Sequence, residues 1–201
     1  MADPEHWDAT YEAKGSQGVS WYQAVPKVAL DLIRQLEVLA DAPVIDVGGG
    51  ESLLVDNLLI QGFSDVTVLD LSKVALDEAH QRTPSAQARW VQADVRSWAP
   101  ARTYGLWHDR AVFHFLVEPD DRAAYLRTLM AATSPGSAVI VATFAPTGPE
   151  TCSGLPVVRY SSPALAEALG PRFELLATQQ EEHTTPSGGV QPFTWVAGRR
   201  R

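Results

Sequence analysis

The chain has 201 residues, 45% of them hydrophobic and 20% charged, and these proportions predict a single globular domain with a sizeable core. Its formal net charge of −8 argues against a nucleic-acid partner. Its single cysteine excludes an internal disulfide and a metal site built only from cysteines. The sequence shows no secretion signal and no apolar run long enough to span a membrane. We therefore expect a cytoplasmic protein, monomer or homodimer, without a membrane partner.

The first 24 residues are mostly polar but carry four large aromatic side chains, Trp7, Tyr11, Trp21 and Tyr22. Two interpretations remain open: a structural cap on the domain, or a lid that closes over a ligand. Pro26 then suits the first turn of a helix, and apolar residues follow it at helical spacing.

A glycine turn follows the first predicted strand. Apolar residues from Val44 precede three consecutive glycines, Gly48, Gly49 and Gly50, and an apolar helical pattern begins at Leu54. Backbone N–H groups and bare Cα atoms in such a turn can contact a ligand that a side chain would displace. The stretch is therefore the candidate centre of a binding site.

Strands and helices alternate after this turn. The pattern predicts strands over 66–70, 88–92, 104–107 and 138–143, with helices over 73–81 and 120–133. Such alternation indicates a doubly wound parallel sheet, in which ligands bind beyond the carboxyl ends of the strands. Four acids stand at the predicted carboxyl ends of successive strands: Asp46, Asp70, Asp94 and Asp109.

The C-terminal part departs from this alternation. A proline-rich loop over 146–156 precedes a short helix bracketed by Ser162 and Gly170. Strands over 173–180 and 191–197, joined by a turn at 186–189, predict an antiparallel hairpin. We expect one domain, with an aromatic lid at 1–24, a cofactor-binding core at 25–145, and a substrate-side loop, helix and hairpin at 146–201.

The acids around the glycine turn narrow the choice of ligand. Leu53 replaces the third glycine of a dinucleotide fingerprint, and no triphosphate-binding loop is present. Asp46 and Glu51 disfavour a pyrophosphate but suit a ligand with a cationic amine and sulfonium. The residues therefore point to S-adenosylmethionine.

The segment Asp46 to Ser52, with Asp70 and the pair Asp94-Val95, resembles the motifs of class I S-adenosylmethionine-dependent methyltransferases over roughly residues 40–145. The resemblance implies a Rossmann-like seven-stranded sheet of order 3-2-1-4-5-7-6 with strand 7 antiparallel. It also implies that the glycines cradle the methionine and ribose and that Asp70 holds the ribose hydroxyls. Asp94 and Val95 would bind adenine. Further cofactor contacts are expected from Asp46, Leu71, His108, Tyr11 and Trp21.

Two narrower resemblances suggest different acceptors. The segment Trp107 to Ala111 is similar to the thiopurine-methyltransferase-like branch, which mostly methylates sulfur, selenium, tellurium or halide in small molecules. Trp7-Asp8 with Tyr11, and the segment Val19 to Tyr22, are similar to lysine methyltransferases of translation elongation factors. Those enzymes carry Asp-Lys-Gly-Thr where this chain has Asp109 to Val112.

These patterns predict a methyltransferase for a small acceptor, most simply a thiol or other soft nucleophile, with no metal. Asp109, Arg110 and His114 are the candidate catalytic residues because a thiol must lose its proton and a cation stabilises the thiolate. Protein lysine N-methylation and a non-catalytic cofactor-binding module are the alternatives. Whether Cys152, His183 and Phe144 line the acceptor pocket is left open.

Overall fold

The computed structural model describes residues 3–15, 17–84 and 86–201, so parts of the predicted lid at 1–2 and 16 lie outside the described residues. The strands are β1 Val44–Val47, β2 Val66–Asp70, β3 Ala88–Gln92, β4 Tyr104–Arg110, β5 Thr133–Phe144, β6 Thr151–Cys152, β7 Leu155–Pro156, β8 Phe173–Thr184 and β9 Val190–Arg200. The helices are α1 Pro4–Lys14, α2 Lys27–Gln35, α3 Leu54–Ile60, α4 Lys73–Arg82, α5 Pro119–Ala132 and α6 Ser162–Leu169. Within the described ranges, no helix is long and apolar enough to cross a membrane.

Seven strands form one sheet in the order β3-β2-β1-β4-β5-β9-β8, and β6 and β7 form a separate small hairpin. Strands β1 to β5 run parallel, whereas β9 is antiparallel to both β5 and β8. Once the small hairpin is set aside, this confirms the predicted order and the antiparallel seventh strand. The order reverses between β1 and β4, which places a crevice at their carboxyl ends.

The two faces of the sheet bury different sets of side chains because successive strand residues point to opposite faces. Helices α2 and α3 pack on one face, where Leu30 and Leu58 join a cluster that includes Leu106 of β4. Helices α5 and α6 pack on the other face, where Leu129 clusters with Trp107. Since Trp107 and Asp109 share one face, the alternation puts His108 and Arg110 on the opposite face.

Strand β4 is longer than predicted, since it continues from Trp107 through Arg110. His108 pairs in register with Asp46 of β1, and Arg110 pairs with Ala142 of β5. The polar residues stay in the strand because the sheet pairs their backbones: His108 and Asp109 pair with both β1 and β5, and Arg110 pairs with β5. The polar residues that follow the predicted end of the strand therefore divide their side chains between the two faces.

Three other expectations were incomplete or wrong. The N-terminal stretch contains a regular helix, α1, whose N-cap is Asp3. The loop at 146–156 contains the small β6–β7 hairpin, and Ser161 rather than Ser162 caps α6. Arg199, near the basic C-terminal end, also lies in β9, where it donates to the carbonyls of Leu36 and Gly136.

Candidate functional site

The glycine turn after β1 keeps its surface free of side chains for steric reasons. Gly48 has φ +67°, and a Cβ on it would lie 2.1 Å from Val112 Cγ2. A Cβ on Gly49 would lie 2.6 Å from Asp46 Oδ2, and one on Gly50 would lie 2.4 Å from the Tyr11 hydroxyl oxygen. Gly48 and Gly49 therefore present bare backbone to the crevice, whereas Gly50 lies against Tyr11 and does not border it; contact of the turn with a cofactor stays a prediction.

Two adjoining chambers flank this turn and share Trp21, Gly48 and Arg110 in their walls. The first chamber is largely apolar, and its walls include Trp7, Tyr11, Asp70, Val95, Phe115 and Cys152. The second chamber is more acidic, and its walls include Asp46, Gly49, Glu51, Ser52 and His108. Most residues predicted to bind the cofactor thus border one chamber or the other.

Asp70 ends β2 and borders the first chamber, with 8% of its surface exposed. Its Oδ1 accepts a hydrogen bond from the backbone N–H of Ser72 at 2.8 Å. Burial raises the pKa of Asp70 to about 7, and the negative charge of Asp46 also raises it. The hydrogen bond from the Ser72 N–H lowers the pKa but does not offset these effects. Hydroxyl donors in the chamber would therefore find a buried acceptor whose other hydrogen-bond donors are the backbone N–H groups of Ser72, Leu71 and Gly50.

The residues after β3 are arranged differently from the prediction. Ala93, Val95 and the neighbouring Leu71 border the first chamber, but Asp94 does not. The Asp94 carboxylate accepts from Arg96 Nε at 3.0 and 2.9 Å and from the Arg96 backbone N–H at 2.8 Å. Its predicted contact with an adenine amino group would have to compete with this arginine.

His108 and Arg110 extend from β4 toward the second chamber. His108 Nδ1 lies 2.7 Å from Asp46 Oδ1, and both residues are almost fully buried. Arg110 Nη1 donates to the Trp21 carbonyl at 3.0 Å, and its guanidinium lies 4.3 Å from the centre of the Phe193 ring. Burial lowers the pKa of Arg110 to about 10, although the nearby Glu181 opposes this. Arg110 therefore remains a cation at neutral pH.

Two of the three predicted catalytic residues border neither chamber. Asp109 is fully buried on the opposite face of the sheet and accepts from the backbone N–H groups of Val112 and Phe113 and from Tyr125 Oη at 2.7 Å. His114 packs among aromatic rings without a hydrogen bond to either ring nitrogen. Burial, followed by the charge of Arg110, lowers the pKa of His114 to about 3, so it is a poor base. These contacts give both residues structural surroundings, and their catalytic role stays a prediction.

The N-terminal aromatic residues cover the first chamber. Trp7, Tyr11 and Trp21 line it, and both Trp7 and Tyr11 make edge contacts with Trp21. Asp8 joins α1 to the start of α4 by accepting from Ser72 Oγ at 2.6 Å and from the Val74 backbone N–H at 3.2 Å. This arrangement favours the lid interpretation of the segment.

Three residues left open by the sequence have distinct positions. Cys152 borders the first chamber, and burial raises the pKa of its thiol to about 11. His183 lies outside both chambers, with Nε2 2.7 Å from the Ser20 carbonyl oxygen. Phe144 packs in the core against Phe193.

The sequence reasoning missed Val112, Phe115 and Glu181. Val112 and Phe115 line the first chamber, and Glu181 Oε2 lies 3.9 Å from Arg110 Nε. No periodic pattern in the sequence marks Val112 or Phe115 as a site residue. The third comes from β8, far along the chain, and no local pattern links it to β4.

Residues 44–136 match the family described as a methyltransferase domain. This range contains the glycine turn, Asp70, Val95 and Arg110. This part of the chain, a little under half of its length, matches a methyltransferase domain. The match and the strand order together confirm the predicted fold and the predicted cofactor class, S-adenosylmethionine.

Known proteins similar to this methyltransferase domain differ in their substrates. A trans-aconitate 2-methyltransferase from Sinorhizobium medicae is 31% identical over 115 residues, covering 56% of this chain and 42% of that protein. The chain thus spans less than half the length of this relative. The mouse EEF1A lysine methyltransferase 2 is 30% identical over 80 residues, covering 36% of this chain and 33% of that protein. A SAM-dependent methyltransferase structure from Anabaena variabilis has a TM-score of 0.76 at 17% identity, covering 100% of this chain and 98% of that one.

The residues of the methyltransferase domain fit an S-adenosylmethionine ligand. The bare glycine turn leaves room for backbone contact, Asp70 offers an acceptor for hydroxyl groups, and Asp46 with Glu51 gives the second chamber the negative charge that an amine and a sulfonium need. Among the residues that the structure describes, no cluster of three or more His, Cys, Asp or Glu side chains could hold a metal.

A test of the cradle compares Gly48→Ala with Gly62→Ala. Both glycines have positive φ, but only the Gly48 Cβ would meet another group within 4 Å. Backbone strain alone should lower the free energy of unfolding by about 1–2 kcal/mol in each variant. Gly48→Ala should lose more and should also lose binding of S-adenosylhomocysteine, measured by calorimetry. Equal stability losses with binding retained in both variants would contradict the proposed role of the turn.

Proposed function

We propose that this chain transfers a methyl group from S-adenosylmethionine to a small molecule that binds in the first chamber beside Arg110. The observation that supports this most is the combination of a bare glycine turn, a buried carboxylate at Asp70 and a buried cation at Arg110 around one apolar space. The trans-aconitate relative, whose name specifies a small acceptor, adds support.

The residues would act mainly by binding and positioning. When bound, the cofactor would supply a methyl group on a sulfonium, and the acceptor's nucleophile would bond to the methyl carbon in line as the carbon–sulfur bond breaks and sulfur leaves as a neutral thioether. Holding the nucleophile in place is worth about 7–11 kcal/mol in well-oriented reactions, so little further chemistry is required of the protein. Asp70 would hold the ribose, the glycine turn the methionine part, and Trp7 with Trp21 would exclude water.

The acceptor atom belongs to the same proposal. A thiol or other soft nucleophile was predicted from the sequence, and Arg110 would favour its thiolate by charge. A carboxylate oxygen is the other candidate, because Arg110 would equally attract an acid. Both acceptors react as anions, which agrees with the position of the cationic Arg110 side chain in the chamber wall.

Protein lysine methylation is the second candidate because of the similarity to the mouse enzyme. The lysine ammonium would approach the buried cation Arg110, which opposes it by charge. The third possibility is a module that binds the cofactor without turnover. Residues Asp46 and His108 make a buried pair that any of these functions would use in the same way, so they do not distinguish them.

A labelling experiment separates these functions. The protein is incubated with methyl-labelled S-adenosylmethionine in three parallel reactions, which contain trans-aconitate, thioglycolate or a cell extract. The proteins of the extract are then resolved on a gel. We expect label in a small organic product and release of S-adenosylhomocysteine. Label confined to a protein band would favour lysine methylation, and binding without any release would favour the non-catalytic module.

A further inference from the structure

Arg110 is the only lysine or arginine among the described residues that border the two chambers. Its side chain is 10% exposed, so water solvates it poorly. A buried guanidinium is costly unless it is paired and hydrogen-bonded. The hydrogen bonds of Arg110 therefore show whether the protein alone supplies enough acceptors for its guanidinium.

The protein leaves two of the Arg110 nitrogens without a hydrogen bond. Nη1 donates to the Trp21 carbonyl, whereas Nε and Nη2 are buried and have no hydrogen-bond partner. The facing carboxylate, Glu181, is 3.9 Å from Nε because its oxygens accept from Gln23 Nε2 at 2.6 Å and Trp195 Nε1 at 2.9 Å. Nε and Nη2 lie side by side on a guanidinium and match the two oxygens of a carboxylate.

Arg110 borders the chamber that would hold the methyl acceptor. Asp70 and Val95 follow β2 and β3, on one side of the glycine turn, whereas Arg110 ends β4 on the other side. A cofactor with its ribose at Asp70 would leave the part of the first chamber near Phe115 and Cys152 for the acceptor. The second chamber is less suited to an anion, because Asp46 and Glu51 border it.

We propose that Nε and Nη2 of Arg110 bind a carboxylate of the methyl acceptor, which makes the substrate a small carboxylic acid. This inference rests on the proposed methyltransferase function and adds the class of substrate. The inference concerns the group that Arg110 recognises. The methylated atom is then an oxygen of that carboxylate, an oxygen of a second carboxylate or the sulfur of a thiol on the same molecule.

Binding of matched acids and esters tests this substrate class. The protein is saturated with S-adenosylhomocysteine and titrated by calorimetry with trans-aconitate or its trimethyl ester, and with thioglycolate or its methyl ester. Arg110→Gln should weaken at least one acid about tenfold or more and leave its ester nearly unchanged, as expected for a lost charged hydrogen bond. Arg110→Lys should keep part of the acid affinity, because a charge remains without the fork.

Arg102→Gln is the matched control, because Arg102 pairs with Asp65 near the opposite end of β4. It should leave the ratio of acid to ester affinity unchanged. The inference is overturned if neither acid binds the unsubstituted protein, if Arg110→Gln weakens acid and ester equally, or if it weakens only S-adenosylhomocysteine, which would assign Arg110 to the cofactor. Failure of the unsubstituted protein to bind S-adenosylhomocysteine would instead overturn the proposed function itself. Retained cofactor binding shows that a variant is folded, and the lysine variant carries the test if the glutamine variant unfolds.

Discussion

Asp70→Asn is expected to stabilise the cofactor-free protein at pH 8 while weakening its binding of S-adenosylhomocysteine. Burial of the Asp70 carboxylate raises its pKa to about 7, whereas an unfolded chain has the ordinary value near 3.8. Because the folded-state pKa is raised, the stability that Asp70 contributes is complete below pH 3.8 and is lost as the pH rises through 7. Asparagine stays neutral and avoids this loss.

The size of the effect follows from the same shift. One pKa unit corresponds to about 1.4 kcal/mol, so the advantage of the asparagine variant in free energy of unfolding should grow by about 2–3 kcal/mol between pH 5 and pH 8. Cofactor affinity should fall by about 1–3 kcal/mol, because the amide accepts hydroxyl groups less strongly than a carboxylate does. The same ionisation predicts that the unsubstituted protein binds S-adenosylhomocysteine more tightly at pH 8 than at pH 6.

Urea denaturation at the two pH values, with calorimetry for the ligand, measures both effects. Asp56→Asn is the control, since Asp56 lies outside both chambers and its pKa is lowered: burial is outweighed by Arg82 and Thr83. This variant should bind the ligand normally and should gain no stability with rising pH. An Asp70 variant that binds the ligand as the unsubstituted chain does would remove Asp70 from the proposed ribose contact.

Asp109→Ala is expected to cost more stability than any other single change considered, about 3–5 kcal/mol in free energy of unfolding. The carboxylate accepts from two backbone N–H groups, of Val112 and Phe113, and from the Tyr125 hydroxyl in a fully buried position. Alanine would leave all three donors unsatisfied, and each buried unsatisfied donor costs about 1–3 kcal/mol. The turn after β4 would loosen, and with it Val112, which packs against Gly48.

Asp109→Asn and Tyr125→Phe are milder variants that test the same hydrogen bonds. Asparagine keeps one acceptor oxygen, and phenylalanine removes one hydroxyl, which also serves Trp107 Nε1 at 2.8 Å. Each should therefore destabilise less than alanine, by about 1–2 kcal/mol. Thermal and urea unfolding give the order. A fully stable Asp109→Asn variant that binds cofactor but has lost turnover would return Asp109 to the catalytic role first assigned from the sequence.

The difference between Asp109 and Arg110 illustrates where sequence reasoning stops. Both residues stand in one polar run, and the strand was expected to end before them. Their separation comes from additional pairing of β4, through Asp109 with β1 and through Arg110 with β5, which makes the alternation of strand side chains apply to them. Arg110 then faces the crevice, and Asp109 faces α5. A local pattern cannot supply this result, because the neighbouring strands are distant in sequence: Asp46, which pairs with His108, lies 62 residues before it, and Ala142, which pairs with Arg110, lies 32 residues after it.

The sequence by itself determined the doubly wound sheet, its strand order through the family resemblance, and the position of the glycine turn with Asp70. These depend on local periodicity and on backbone conformations that glycine adopts readily. Only the tertiary structure decided that Asp94 is held by Arg96, that His114 is buried without a hydrogen-bond partner, and that Glu181 faces Arg110. Those outcomes depend on burial and on competition among side chains brought together from distant segments, which decide whether a charged group faces a ligand or another residue.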